Sequence, residues 1–135
     1  MKKIVLSTLL MFLTSFTFGQ EKDYQLSTHI LDISEGVPAG NVKVRLEAMD
    51  QTSETWKLIS EKRTMNNGRI NDFLSASKNN TGIYRFTFYT EAYFKSHDID
   101  SFYPYIQVVF EINDKNHYHV PITLSAYGYS TYRGS

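Results

Sequence analysis

Three short stretches and the chain's own end carry side chains able to do acid–base or anion-binding chemistry. They are Leu26-Ser-Thr-His29, Asn67-Gly-Arg69, His117-Tyr-His-Val-Pro121 and Tyr132-Arg-Gly-Ser135. An imidazole with an ordinary pKa of ~6.5 can take a proton from water at neutral pH. A fixed guanidinium can stabilise negative charge building on a carbonyl oxygen. Tyrosine adds apolar area with one hydroxyl, and a terminal serine adds a hydroxyl and a free carboxylate. Taken singly, each has an ordinary reading: His29 as a solvated or packing histidine, Arg69 as a surface charge leaving a turn, the tail as an edge strand with exposed aromatics. His117 and His119, at i and i+2, could ligate a metal from one strand face, but a third ligand with recognisable spacing is missing and no metal is assigned. His97 lies in a polar stretch and receives no role. There is no Gly-rich phosphate loop, no nucleophile elbow and no cysteine for thiol chemistry.

The elements that must position these groups read as β nearly throughout. Val42, Val44 and Leu46 alternate with Lys43, Arg45 and Glu47, and Tyr84, Phe86 and Phe88 alternate with Arg85, Thr87 and Tyr89. Residues 105–112 form a third run rich in β-branched and aromatic side chains. Turn signals separate the runs: Glu35-Gly-Val-Pro-Ala-Gly40, Asn66-Asn-Gly68, Asn79-Asn-Thr-Gly82 and Asn113-Asp-Lys-Asn116. Only residues 90–97 invite a short helix, with Thr90 as its cap. Regular short strands with Gly and Asn turns predict an antiparallel β-sandwich. Alternation puts Leu26, Thr28 and Ile30 inward, and likewise Tyr118, Val120, Ile122 and Leu124. Ser27, His29 and Leu31, and His117, His119, Pro121 and Thr123, then share the faces turned away from the core. That apolar character outside the core predicts a partner subunit, and Pro121 predicts an edge or a bulge.

The chain has 135 residues and a formal charge of zero, which fits one domain. Met1-Lys-Lys followed by the uncharged apolar run to Phe18 reads as a secretory signal peptide over residues 1–19, with cleavage before Gln20. The run is short for a membrane span and lacks a basic stop-transfer flank. The expectation is an exported, periplasmic protein whose mature domain covers 20–135. Losing Lys2 and Lys3 from a balanced 14 basic and 14 acidic residues leaves an acidic excess of two. That gives no electrostatic case for nucleic acid or, once the leader is gone, for a membrane.

Jointly and in this order, Leu26-Ser-Thr-His-Ile-Leu-Asp32, Asn67-Gly-Arg69, Tyr118-His-Val-Pro121 and Tyr132-Arg-Gly-Ser135 resemble the 5-hydroxyisourate hydrolases of the transthyretin-like family. The likeness runs from Leu26 to Ser135, and the terminal tetrapeptide is its most specific part. The resemblance implies an all-β, transthyretin-like antiparallel β-sandwich of about eight strands with one short helix. It implies hydrolysis of 5-hydroxyisourate, on the way from urate to allantoin, to 2-oxo-4-hydroxy-4-carboxy-5-ureidoimidazoline, without a cofactor. His29, Arg69, His119 and Ser135 would be catalytic, and His29, Arg69, Tyr132 and Arg133 would contact the substrate. The two histidines would activate water and relay its proton, their order left open, while Arg69 would hold the substrate and its oxyanion. The resemblance also implies self-association as a homotetramer, with sites in a channel between dimers. The alternative on the same scaffold is a non-catalytic small-molecule carrier of the cell envelope. Two positions depart from the family pattern. Ser125-Ala-Tyr-Gly128 replaces Ser-Pro-Tyr-Gly, and Asn67 replaces the usual Asp, which would alter affinity if that Asp orients the arginine.

Overall fold

The computed structural model describes residues 23–135; the leader assigned to 1–19 lies outside the described residues. The chain forms β1 (Tyr24–Asp32), β2 (Val37–Pro38), β3 (Lys43–Asp50), β4 (Thr55–Arg63), β5 (Arg69–Ser75), β6 (Gly82–Tyr89), α1 (Glu91–Ser96), β7 (Ile106–Ile112), β8 (Tyr118–His119), β9 (Ile122–Ser125) and β10 (Gly128–Thr131). Two of these, β2 and β8, are two residues long, so the expected count of about eight substantial strands and one short helix holds.

One sheet is a fully antiparallel β4-β3-β6-β7 ladder. The other is organised around β1. Along one edge β1 pairs antiparallel with β5 and then β2; along the other it pairs in parallel with β8 and then β9, and β10 returns antiparallel to β9. The break between β8 and β9 falls at Val120 and Pro121, as expected of a residue that cannot donate to a ladder. The inward residues are those that alternation selects. Leu26, Thr28, Ile30, Val44, Leu46, Phe86, Phe88 and Leu124 are all fully buried, and Phe73 of β5 meets Phe86 of β6 at 5.1 Å between ring centroids, joining the two sheets.

Two expectations need correction. Thr90 stands at the N-cap of α1, but its backbone is already helical and its side chain makes no capping bond. The helix is instead held by Tyr93 and Phe94 packing inward. Pro121 is buried within the chain itself, not on an open face, because the returning tail closes over β9: Thr131 Oγ1 donates to the Pro121 carbonyl at 2.9 Å.

α1 is tied to β1 by one buried polar contact. Tyr93 Oη donates to Asp32 Oδ2 at 2.9 Å, while Asp32 Oδ1 accepts from the Ser34 and Glu35 amides. Burial, then the bond to Asp32, push the Tyr93 phenol up to about 12. A phenol whose folded pKa is raised binds its proton more tightly than the unfolded chain does. Its contribution is therefore complete below pH 10 and is lost as pH climbs from there to about 12. Tyr93→Phe leaves Asp32 short of a donor and is expected to lower unfolding stability by about 1.5–3 kcal/mol in urea titrations at pH 7. The same variant should flatten the alkaline loss of stability; equal midpoints for both proteins would refute the assignment.

Candidate active site

Three strands and the C-terminal tail lay the site residues side by side on one face of the β1 sheet. His29 of β1 is the register partner of Arg69 at the start of β5. Ser27, two residues earlier and so on the same face, is the register partner of His119 in β8. His119 in turn pairs with Gly134 of the tail, whose amide donates to the His119 carbonyl at 2.8 Å. The tail is thus pinned by β10 and by this bridge. A cleft of about 550 Å³ opens over the row, lined by Asp23, Tyr24, Ser27, His29, Arg69, Asn71, His117, His119, Tyr132, Gly134 and Ser135.

Local backbone chemistry explains how Arg69 comes to face His29. Gly68 sits at φ +74°, and a Cβ there would lie 2.6 Å from the Ile30 carbonyl oxygen, so the turn into β5 needs glycine. The Asn67 side chain accepts from the Arg69 amide at 3.1 Å. An amide oxygen supplies this turn bond as a carboxylate would, without placing a negative charge beside the arginine. Among the described residues, the Arg69 guanidinium has no carboxylate partner, leaving its donors to an incoming ligand.

Burial, and next the charge of Arg69, lower the His29 pKa from 6.5, with a backbone hydrogen bond at Asn67 acting the other way. A histidine with a lowered folded pKa contributes stability that is present above pH 6.5 and is lost as pH falls below it. His29 should titrate below 6.5 in a nitrogen-15 NMR titration. Arg69→Gln should raise that midpoint without restoring it fully, since burial is the larger cause. A midpoint in Arg69→Gln no different from wild type would show that the two side chains are not coupled.

Of the residues singled out from the sequence, His29, Arg69, His119, Tyr132 and Ser135 share the cleft. Arg133 does not. It lies on the other side of the tail, its guanidinium stacked 4.4 Å above the Tyr118 ring, because successive residues of this extended segment point to opposite sides. Six further residues line the cleft without a catalytic or substrate-binding role assigned from the sequence: Asp23, Tyr24, Ser27, Asn71, His117 and Gly134. Ser27 sits at i−2 from His29, and His117 at i−2 from His119, so period-two alternation was the signal that identified them. Both rings of the 117/119 pair turn toward Ser27, whose Oγ lies 2.8 Å from His117 Nε2 and 2.8 Å from His119 Nδ1. Among the described residues no cluster of three or more His, Cys, Asp or Glu side chains could hold a metal.

An array of two imidazoles and a guanidinium in one cleft can activate water beside a stabilised oxyanion. Comparison with known proteins points the same way. Residues 26–134 match the model of the HIUase/Transthyretin family. The chain is 48% identical over 112 residues to a probable 5-hydroxyisourate hydrolase of Caenorhabditis elegans, covering 82% of this chain and 81% of that protein. It is 39% identical over 111 residues to the 5-hydroxyisourate hydrolase of Mus musculus, covering 82% and 94%. Among solved structures it is similar to sea bream transthyretin in complex with thyroxine, with a TM-score of 0.76, 28% identity and coverage of 82% and 94%.

Proposed function

The chain belongs to the HIUase/Transthyretin family, and from that membership we propose that it is a hydrolase acting on 5-hydroxyisourate in the degradation of urate. Water adds to a carbonyl of the six-membered ring, the adjacent ring C–N bond opens, and the product leaves as a carboxylate. The observation that carries this reading is the row Arg69, His29, Ser27, His119, Gly134 across adjacent strands, floored by one face of the sheet. His119 takes the proton of the attacking water and returns it to the departing ring nitrogen. His29, kept neutral by burial and by Arg69, contacts the substrate without repelling that cation. The Arg69 fork binds the planar ureide and the negative charge that develops on its carbonyl oxygen. Tyr132 and Ser135 close the cleft from the tail side.

Exposed Tyr24, Tyr127, Tyr129, Tyr132 and Phe102 support a homotetramer in which further copies complete the cleft walls. The apolar leader supports export to the periplasm. Purified protein added to freshly generated 5-hydroxyisourate should speed the decay of its ultraviolet absorbance. Binding with no acceleration over buffer would favour the carrier reading instead.

A further inference from the structure

The hydrogen bonds around Ser27 fix where a proton sits on His119. His117 Nδ1 lies 3.0 Å from the Tyr24 carbonyl oxygen. A carbonyl only accepts, so His117 Nδ1 carries a hydrogen. In the neutral ring, His117 Nε2 is then the acceptor, and at 2.8 Å it must receive the Ser27 hydroxyl hydrogen. With that hydrogen committed, Ser27 Oγ can only accept from its other neighbour, so His119 Nδ1, also at 2.8 Å, must be the donor. The lone pair of neutral His119 is therefore on Nε2.

We infer that Tyr24, His117 and Ser27 form a directed hydrogen-bond chain that fixes the tautomer of His119, with Ser27 and His117 as positioning residues acting through it. The inference rests on the proposed role of His119 as the base. A neutral imidazole can place its hydrogen on either nitrogen, and the bond made by one nitrogen decides the state of the other. A catalytic imidazole held in the wrong tautomer loses up to about 10⁴ in kcat. Once His119 accepts a proton it becomes a cation, and the same Ser27 oxygen still accepts from its Nδ1.

The chain is rigidly supported. Ser27 is buried, and its backbone carbonyl accepts from the Val120 amide at 3.0 Å. Thr28 Oγ1 donates to the Val120 carbonyl at 2.7 Å, so β1 and the 118–120 segment cannot slide past one another without breaking buried bonds. Two residues before Ser27, the Gln25 side chain donates to the carbonyls of Asp114 and Asn116, anchoring the turn that delivers His117. The ionisable groups around the two rings are Asp23, Tyr24 and Lys115 beside His117, and His29, Arg69, Tyr132 and Ser135 along the cleft.

The test is spectroscopic and kinetic. In nitrogen-15 spectra at alkaline pH, the wild-type protein should show both His117 and His119 protonated at Nδ1. Ser27→Ala should release His119 into a mixture of tautomers and lower kcat by on the order of 10–10², with KM within about threefold, while Ser27→Thr, which keeps the hydroxyl, restores both. His117→Phe removes the acceptor and should behave like Ser27→Ala. In His117→Gln the amide oxygen can still accept from Ser27, so tautomer and kcat should stay near wild type. A wild-type spectrum with His119 protonated at Nε2, or a Ser27→Ala enzyme with unchanged kcat, overturns the inference. So does an equal loss in His117→Phe and His117→Gln, which would mark a purely structural role. Should the wild-type protein not turn over 5-hydroxyisourate, the reaction fails, and the spectrum alone still decides the direction of the chain.

Discussion

His119→Ala is expected to lower kcat for 5-hydroxyisourate by about 10²–10⁴, the range that a positioned acid–base group supplies. The effect should fall on kcat rather than KM. His29 on β1 and Arg69 on β5, which contact the substrate in the proposed reaction, are paired with each other and keep their register. The fold should survive, because His119 is only half-buried and its strand is held by main-chain bonds. Val120 N–H still donates to the Ser27 carbonyl, and Gly134 N–H still donates to the carbonyl of residue 119. Circular dichroism and the unfolding midpoint should therefore stay near wild type. Because the change leaves a space the size of an imidazole, added imidazole should recover part of the lost rate. Alanine at 119 with a kcat within threefold of wild type would remove this residue from the chemistry.

The candidate site was legible to the extent that it depends on period-two alternation. His29 and His119 could be placed on the face opposite Leu26, Ile30, Tyr118 and Ile122 because one face of each strand is buried, and a slip by one residue would expose the apolar set. The break at Pro121 was legible for an equally local reason. What stayed hidden depends on pairing between distant strands. Nothing in the order of residues says that β8 lies parallel to β1 in the register that sets Ser27 beside His119, across some 90 residues of intervening chain. Arg133 shows the complementary failure. Its chemistry suits a ureide, so residue type argued for the cleft. The alternation of an extended tail, which applies to residues 132–134 as much as to any strand, sends it to the Tyr118 ring. The single helix shows a third kind. Thr90 has the composition of a cap, yet its helical backbone keeps the hydroxyl from reaching the first turn.

That same alternation gives the second large effect, at Gly134. A Cβ built on this residue would lie 2.5 Å from His119 Cδ2 and 3.2 Å from Cγ, closer than van der Waals contact permits. The main chain of the tail thus lies directly on the imidazole, and glycine is needed there for close approach. Gly134→Ala must push the ring toward the cleft or lift the tail, breaking the bond from its amide to the His119 carbonyl. Either response moves His119 Nε2, or Tyr132 and Ser135, by a fraction of an ångström to an ångström. A misplacement of 1 Å costs about 10²-fold, and that loss in kcat/KM is the expected result. Stability should change little, since β10 stays paired to β9 and no core side chain is altered. Arg133→Gln is the control, one residue away on the opposite side. It gives up the stacking on Tyr118 but touches nothing in the cleft, so kcat/KM should stay within about threefold of wild type while the tail loosens. If Arg133→Gln proved the more damaging of the two for turnover, the tail would have to present its other side to the substrate, and the cleft over His29 and His119 would not be the place of reaction.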